Sequence, residues 1–178
     1  MSPHEQVSAA IRTAAAQGTP ALVAYLTAGF PTRARFREHV RALADAADVI
    51  EVGVPFTDPM ADGVTIQRAS LAALAQGVSL AWILDELTAL QGLRTPLLLM
   101  SYLNPLLAFG IARLAESAAR AGVAGFIVPD LPLDESSELR AALDERQLAL
   151  VQMVTPSPSR SASRSCAPAV RASCTQSP

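Results

Sequence analysis

The chain has 178 residues, enough for one domain; 51% of them are hydrophobic and 17% are charged. This balance excludes a largely disordered protein and predicts a globular fold with a sizeable core. No apolar run reaches the length of about 18 residues that a membrane span needs. Because Ser2-Pro3-His4-Glu5 also lacks the basic and apolar regions of a secretion signal, we expect a cytoplasmic protein.

The charge is distributed unevenly along the chain. Residues 1–155 contain 11 arginines and 16 acidic residues, whereas residues 156–178 contain 3 arginines and no acid. A mildly acidic body argues against a nucleic-acid-binding surface. Both cysteines, Cys166 and Cys174, lie in the basic tail at a spacing that matches no usual zinc or redox pattern, so no metal site is predicted.

Apolar periodicity predicts a leading helix followed by alternating strands and helices. Ser2, Pro3 and Glu5 are typical of a helix start, and the compact run from Ala21 to Thr27 predicts a strand covered on both faces. The later elements predicted are helices over 33–46, 66–75, 80–90, 106–120 and 136–146, and strands over 49–52, 96–100, 125–128 and 148–154. This order predicts an α/β fold of about (βα)₄β with all strands parallel.

Polar side chains lie at or just past the carboxyl end of each of the later predicted strands. They are Glu51, Tyr102 with Asn104, Asp130 and Thr155. In a closed barrel of parallel strands, the carboxyl ends meet at one rim, where the active sites of that fold lie. Periodicity alone leaves open whether the sheet is flat or closed, but this arrangement favours the barrel.

The segment from Glu51 to Gln67, EVGVPFTDPMADGVTIQ, places three acidic residues directly after a buried strand. Glu51 ends the predicted strand beside apolar neighbours, where desolvation would raise its pKa toward a useful acid/base value. Pro55 and Pro59 stiffen the loop that leads to Asp62, which would keep the two carboxylates at a fixed separation. An ordinary explanation stays open, because Asp-Pro and Asp-Gly are turn dipeptides and Asp62 could cap the next helix.

This segment and three others, in the same order, resemble the tryptophan synthase alpha chain family. The other three are YLTAGFP at 25–31, MSYLNP at 100–105 and VPDLP at 128–132. The resemblance covers residues 20–155 and implies a truncated (βα)₈ TIM barrel, consisting of the leading helix and about (βα)₄β. We therefore expect a partial TIM-barrel domain over residues 1–155 and a disordered Ser/Pro/Arg-rich tail over 156–178.

The resemblance implies a carbon–carbon lyase of tryptophan biosynthesis that cleaves indole-3-glycerol phosphate to indole and glyceraldehyde 3-phosphate. It makes Glu51 the general acid/base, and it makes Asp62 the acceptor of the indole N–H, which also stabilises positive charge on the ring. It places four further side chains around the substrate: Tyr25, Ile66, Met100 and Tyr102. Packing over the strand rim would account equally well for Tyr102, and for Tyr25, Ile66 and Met100 ordinary core packing is slightly favoured.

The resemblance also implies an α₂β₂ heterotetramer with a tryptophan synthase beta chain. The residues that it assigns to the contact are Pro55, Asp58, Met60 and Asp130. Asp130 could equally cap the helix that follows it. No cofactor is implied for this chain, because pyridoxal phosphate belongs to the beta partner, and the implied ligand is the phosphorylated substrate.

The family pattern ends before a barrel could close. Residues 156–178 contain 7 Ser, 4 Pro and 3 Arg, and the family's later strands and phosphate-binding glycines have no counterpart there. A frameshift close to codon 157 would explain this composition, and we expect the truncated chain to be impaired in catalysis. Two other functions stay open: a non-catalytic module that binds the beta chain, and another phosphosugar barrel enzyme.

Overall fold

A computed structural model of the protein describes residues 2–90 and 92–153. Five strands form one sheet: β1 (Val23–Thr27), β2 (Val49–Gly53), β3 (Leu97–Met100), β4 (Gly125–Ile127) and β5 (Ala149–Val151). Their order in the sheet is their order in the chain, and every neighbouring pair is parallel. The predicted α/β class with parallel strands is therefore confirmed, whereas Thr155 and the tail predicted to be disordered lie outside the described residues.

Seven helices surround the sheet in the described part of the chain. They are α1 (Pro3–Ala16), α2 (Phe36–Ala44), α3 (Val64–Ala75), α4 (Leu80–Thr88), α5 (Leu103–Phe109), α6 (Ile111–Arg120) and α7 (Ser137–Asp144). Single 3₁₀ turns, Arg33–Arg35 and Leu133–Glu135, precede α2 and α7. None of the described helices is long and apolar enough to cross a membrane alone. Taken together, α3 and α4 have the length and composition of a membrane span, but they meet at an angle of 84°.

The leading helix begins where the sequence predicts, whereas the helix predicted over 106–120 is two helices. At the start of α1, the Glu5 carboxylate accepts the Ser2 N–H at 2.8 Å. Gly110 separates α5 from α6 with a φ of +91°, a conformation that glycine adopts without steric cost. α5 starts earlier than predicted because Pro105 lies in its first turn, where a missing N–H breaks no helical hydrogen bond.

The two faces of the sheet belong to two separate apolar clusters. On the outer face, the helices cover buried side chains that include Ile50, Val52, Leu97, Leu99, Phe126 and Leu150. On the inner face, Val49, Leu98, Ile127 and Val151 pack with Val7 of α1. The alternation follows from the two-residue period of a strand, so each strand contributes to both clusters.

β1 does not have the two covered faces that its sequence predicts. Val23 and Tyr25, which point to the inner face, are 42% and 36% exposed. β1 pairs with β2 along one edge, and no strand lies at its other edge in the described part of the chain. The prediction is wrong because the burial of β1 depends on neighbours beyond that edge and not on its own apolar composition.

Removing the Phe126 ring tests the outer cluster. Phe126 is fully buried in β4, so we expect Phe126→Ala to lower the free energy of unfolding by about 3–5 kcal/mol. Leu71→Ala is the control, because Leu71 is 57% exposed and its truncation should cost less than about 0.5 kcal/mol. Urea unfolding followed by circular dichroism measures both. Equal losses in the two variants would contradict this description of the core.

Candidate active site

Glu51 lies in the middle of β2 and points to the inner face. It pairs in register with Tyr25 on β1 and Leu98 on β3, and the strand continues past it to Gly53. Burial is the cause that raises the pKa of the Glu51 carboxyl above its ordinary value. A carboxyl group that keeps its proton to higher pH can act as a general acid and, once ionised, as a base.

Asp62 lies near the end of the loop that joins β2 to α3. Its Oδ1 accepts a hydrogen bond from the Tyr102 hydroxyl at 3.1 Å, and its carbonyl oxygen accepts one from Gln67 Nε2 at 2.9 Å. α3 begins at Val64 with Gly63 as its N-cap, and no side chain caps it. The alternative role of Asp62 as a helix cap is therefore wrong.

Tyr102 lies two residues after the end of β3 and is only 5% exposed. Its hydroxyl donates to Asp62 and accepts the Ala61 N–H at 2.8 Å. Its ring packs against Phe56, with ring centroids 5.5 Å apart. Burial raises the pKa of the Tyr102 hydroxyl and the Asp62 carboxylate adds to the rise, so the hydroxyl keeps the proton that it donates.

Four predicted site residues line one small cavity at the carboxyl end of the sheet. They are Tyr25, Asp62, Met100 and Tyr102, and Gly53, Val54, Ser101 and Pro129 complete the lining. Burial raises the pKa of the Tyr25 hydroxyl, and the nearby Asp62 and Glu51 carboxylates raise it further. Both predicted acids therefore act on the same phenol, Asp62 from the cavity wall and Glu51 from the strand position beside it.

Gly53 gives Tyr25 its place in the cavity, and the sequence reasoning missed it. A Cβ atom at Gly53 would collide with the Tyr25 hydroxyl, which lies 3.3 Å from Thr27 Oγ1. Any side chain at this position would displace the phenol. The available signal was a glycine two residues after Glu51, on the same face of the same strand.

Two predicted site residues of the described chain do not line the cavity: the catalytic candidate Glu51 and the substrate-binding candidate Ile66. Ile66 lies half-buried in the first turn of α3 and is not among the residues that line the cavity in the described part of the chain. Its neighbour Gln67 does reach the loop between β2 and α3, because its side chain donates to the Asp62 carbonyl. No feature of the sequence indicates which group a glutamine in a first helical turn will bind.

The residues predicted to contact a partner differ in exposure. Met60 is 90% exposed and Asp58 is exposed beside it, whereas Pro55 is buried and supports the loop without presenting a surface. Asp130 is exposed, and its two carboxylate oxygens accept the Leu103 N–H at 3.0 and 3.2 Å. Asp130 therefore caps α5, two helices earlier in the chain, and the alternative that it caps the following helix is wrong.

Known proteins share the sequence of this chain over most of its length. A sequence model of the family described as tryptophan synthase alpha chain matches residues 11–171, a longer span than the resemblance over 20–155. The alpha chain of Nitratidesulfovibrio vulgaris (strain Hildenborough) is 55% identical over 148 residues, which are 82% of this chain and 58% of that protein. The alpha chain of Roseiflexus castenholzii is 48% identical and covers 79% of this chain and 55% of that protein. This chain thus spans little more than half the length of these relatives.

Solved structures share its fold. The tryptophan synthase alpha chain from Legionella pneumophila superimposes with a TM-score of 0.91 at 27% identity, covering 99% of this chain and 66% of that one. The aminoacrylate-bound tryptophan synthase from M. tuberculosis gives 0.90 at 33% identity, covering 96% and 70%. The parallel sheet and its helices are thus part of a TIM barrel. The chain belongs to the tryptophan synthase alpha chain family.

Proposed function

We propose that the described residues carry the acid/base side of an active site that cleaves indole-3-glycerol phosphate to indole and glyceraldehyde 3-phosphate. The supporting observation is a pair of carboxyl groups in unlike surroundings near one phenol: Asp62 lines the cavity with Tyr25, and Glu51 lies beside Tyr25 in the sheet. Burial raises the pKa of Glu51, whereas Asp62 is held by Tyr102 and Gln67. Such a pair suits one group to proton transfer and the other to charge stabilisation.

Cleavage of this substrate requires one proton to be added and another to be removed. Protonated Glu51 donates to the ring carbon that carries the side chain, which leaves a positive charge on the ring. The Asp62 carboxylate accepts the indole N–H and stabilises that charge. Ionised Glu51 then takes the proton of the side-chain hydroxyl, while the carbon–carbon bond breaks and its electron pair returns to the ring. The products are indole and an aldehyde, and Glu51 is protonated again.

A hybrid enzyme tests this assignment, because the chain spans 58% of the N. vulgaris protein. Residues 1–153 are joined to the remaining part of that relative, and indole release is measured in the hybrid and in the 178-residue chain. We expect Glu51→Gln and Asp62→Asn each to lower the kcat of the hybrid by about 10²- to 10⁴-fold.

The control for the hybrid is Asp134→Asn, which changes an exposed acid in the turn before α7 and should leave kcat unchanged. Circular dichroism shows whether each variant is folded. The proposal would be contradicted if either single variant, Glu51→Gln or Asp62→Asn, were folded and kept full activity.

The pH dependence of stability tests the surroundings of Glu51 in the 178-residue chain itself. The pKa of the Glu51 carboxyl in the folded chain is raised above its ordinary value of 4.5. Burial of the protonated carboxyl therefore contributes to folding stability below pH 4.5, and this contribution is lost as the pH rises through the folded pKa. We expect the melting temperature of the wild type to fall relative to that of Glu51→Gln between about pH 4 and pH 8. Exposed Glu116→Gln is the control. Parallel wild-type and Glu51→Gln curves would contradict the expectation.

The exposed tip of the β2–α3 loop, Asp58 to Met60, is proposed to contact a tryptophan synthase beta chain in an α₂β₂ complex. The 90% exposure of Met60, two residues before Asp62, supports this, because apolar side chains of this kind anchor protein interfaces. The pyridoxal phosphate would belong to the beta chain. A cytoplasmic location suits a phosphorylated intermediate of amino-acid biosynthesis.

A charge at the tip tests the contact. We expect the hybrid enzyme with Met60→Asp to bind purified N. vulgaris beta chain at least about tenfold more weakly than the unchanged hybrid does, since the new carboxylate would be desolvated at the interface. Isothermal titration calorimetry measures the Kd. Leu71→Asp, on an exposed apolar residue of α3, is the control and should bind like the unchanged hybrid. Equal affinity of Met60→Asp and the unchanged hybrid would exclude the tip from the contact.

A further inference from the structure

The loop that carries Asp62 depends on side chains outside it for its position. Its beginning is fixed by the Val54 N–H, which donates to the Met100 carbonyl at 2.8 Å. Between residues 55 and 62, no backbone–backbone hydrogen bond joins the loop to the described part of the chain. A segment without backbone pairing keeps a fixed shape only if other groups hold it.

Tyr102 holds this loop at two consecutive residues. Its hydroxyl oxygen accepts the Ala61 N–H at 2.8 Å, and the hydroxyl donates to Asp62 Oδ1 at 3.1 Å. Because one lone pair already receives the amide proton, the hydroxyl hydrogen is available to the carboxylate. The ring itself has little freedom, since it is buried and packs on Phe56.

Gln67 holds the same residue from the other side. Its Nε2 donates to the Asp62 carbonyl at 2.9 Å, and its backbone N–H donates to the Gly63 carbonyl at 3.0 Å as the first turn of α3. The start of the helix and the end of the loop are therefore fixed by one residue. The main chain of Asp62 is thus held by Gln67, whereas its carboxylate is held by Tyr102.

We propose that Tyr102 and Gln67 are positioning residues that aim the Asp62 carboxylate, an inference that rests on the proposed function. Tyr102 occupies Oδ1, so Oδ2, which has no hydrogen bond to the described residues, is presented to the indole N–H. Gln67 fixes the backbone from which the carboxylate projects. Both act through Asp62, and neither contacts the reacting atoms.

The first test follows the loop in the 178-residue chain. Tyr102→Phe keeps the ring and removes the hydroxyl, so the Ala61 amide should exchange with deuterium about tenfold faster or more. The Val54 amide, bonded to Met100, is the internal control and should be unchanged. Asp62→Asn should leave the Ala61 exchange unchanged, because the hydroxyl still accepts that N–H. Unchanged Ala61 exchange in Tyr102→Phe would overturn the proposal.

The second test is a double-mutant cycle for indole release in the hybrid enzyme. Tyr102→Phe and Gln67→Met should each lower kcat by about 10- to 100-fold, with KM changed less than about threefold. In the Asp62→Asn background, neither should lower kcat further. Gln76→Met is the matched control: it changes a glutamine at the other end of α3 that binds the Pro31 carbonyl, and it should leave kcat unchanged.

The outcomes of the cycle separate two failures. A full additional loss in the Asp62→Asn background would mean that the hydroxyl or the amide acts on the substrate directly, and this would overturn the positioning role. Unchanged kcat in Tyr102→Phe and Gln67→Met, with a large loss in Asp62→Asn, would overturn it as well. If Asp62→Asn itself keeps full activity, the proposed function fails, whatever the amide exchange shows.

Discussion

The in-register parallel pairing of β2 with β1 and β3 determines the chemistry of this site. The register places Tyr25, Glu51 and Leu98 side by side on the inner face, with Gly53 and Met100 one layer nearer the carboxyl end. A slip of one residue would turn Glu51 toward the apolar outer face, because successive side chains alternate. The burial that raises the pKa of Glu51 thus follows from the pairing of the strands. The loop after β2 determines only the position of Asp62 relative to Glu51.

The two acids differ in how they are held, and this difference matches their proposed tasks. Glu51 projects from a regular strand, and burial, the one cause of its pKa shift, favours the protonated form. Asp62 lies on a loop, where a hydroxyl and an amide from two other elements fix it. A group that moves a proton benefits from a perturbed pKa, whereas a group that receives a ring N–H benefits from a fixed direction.

Sequence reasoning succeeded where the signal is local and periodic, and it failed where the answer depends on a distant partner. Alternating apolar periods predicted the order of strands and helices and the parallel sheet. The exposure of β1 depends on what lies beyond its free edge, and Asp130 binds a helix start 27 residues earlier in the chain. Gln67 and Gly53 escaped notice for the same reason, since each is defined by the side chain or carbonyl that it meets.

Tyr102 connects the proposed partner surface to the Asp62 carboxylate. Asp130, on the loop after β4, caps α5 through the Leu103 N–H, and Tyr102 is the residue just before Leu103. The Tyr102 hydroxyl in turn binds Ala61, next to exposed Met60. The loops after β2 and β4 are thus bonded to two consecutive residues, the first to the Tyr102 hydroxyl and the second to the Leu103 N–H. We therefore expect a displacement of either exposed loop to reach the hydroxyl that donates to Asp62, because each loop is joined by a direct hydrogen bond to Tyr102 or to the residue after it.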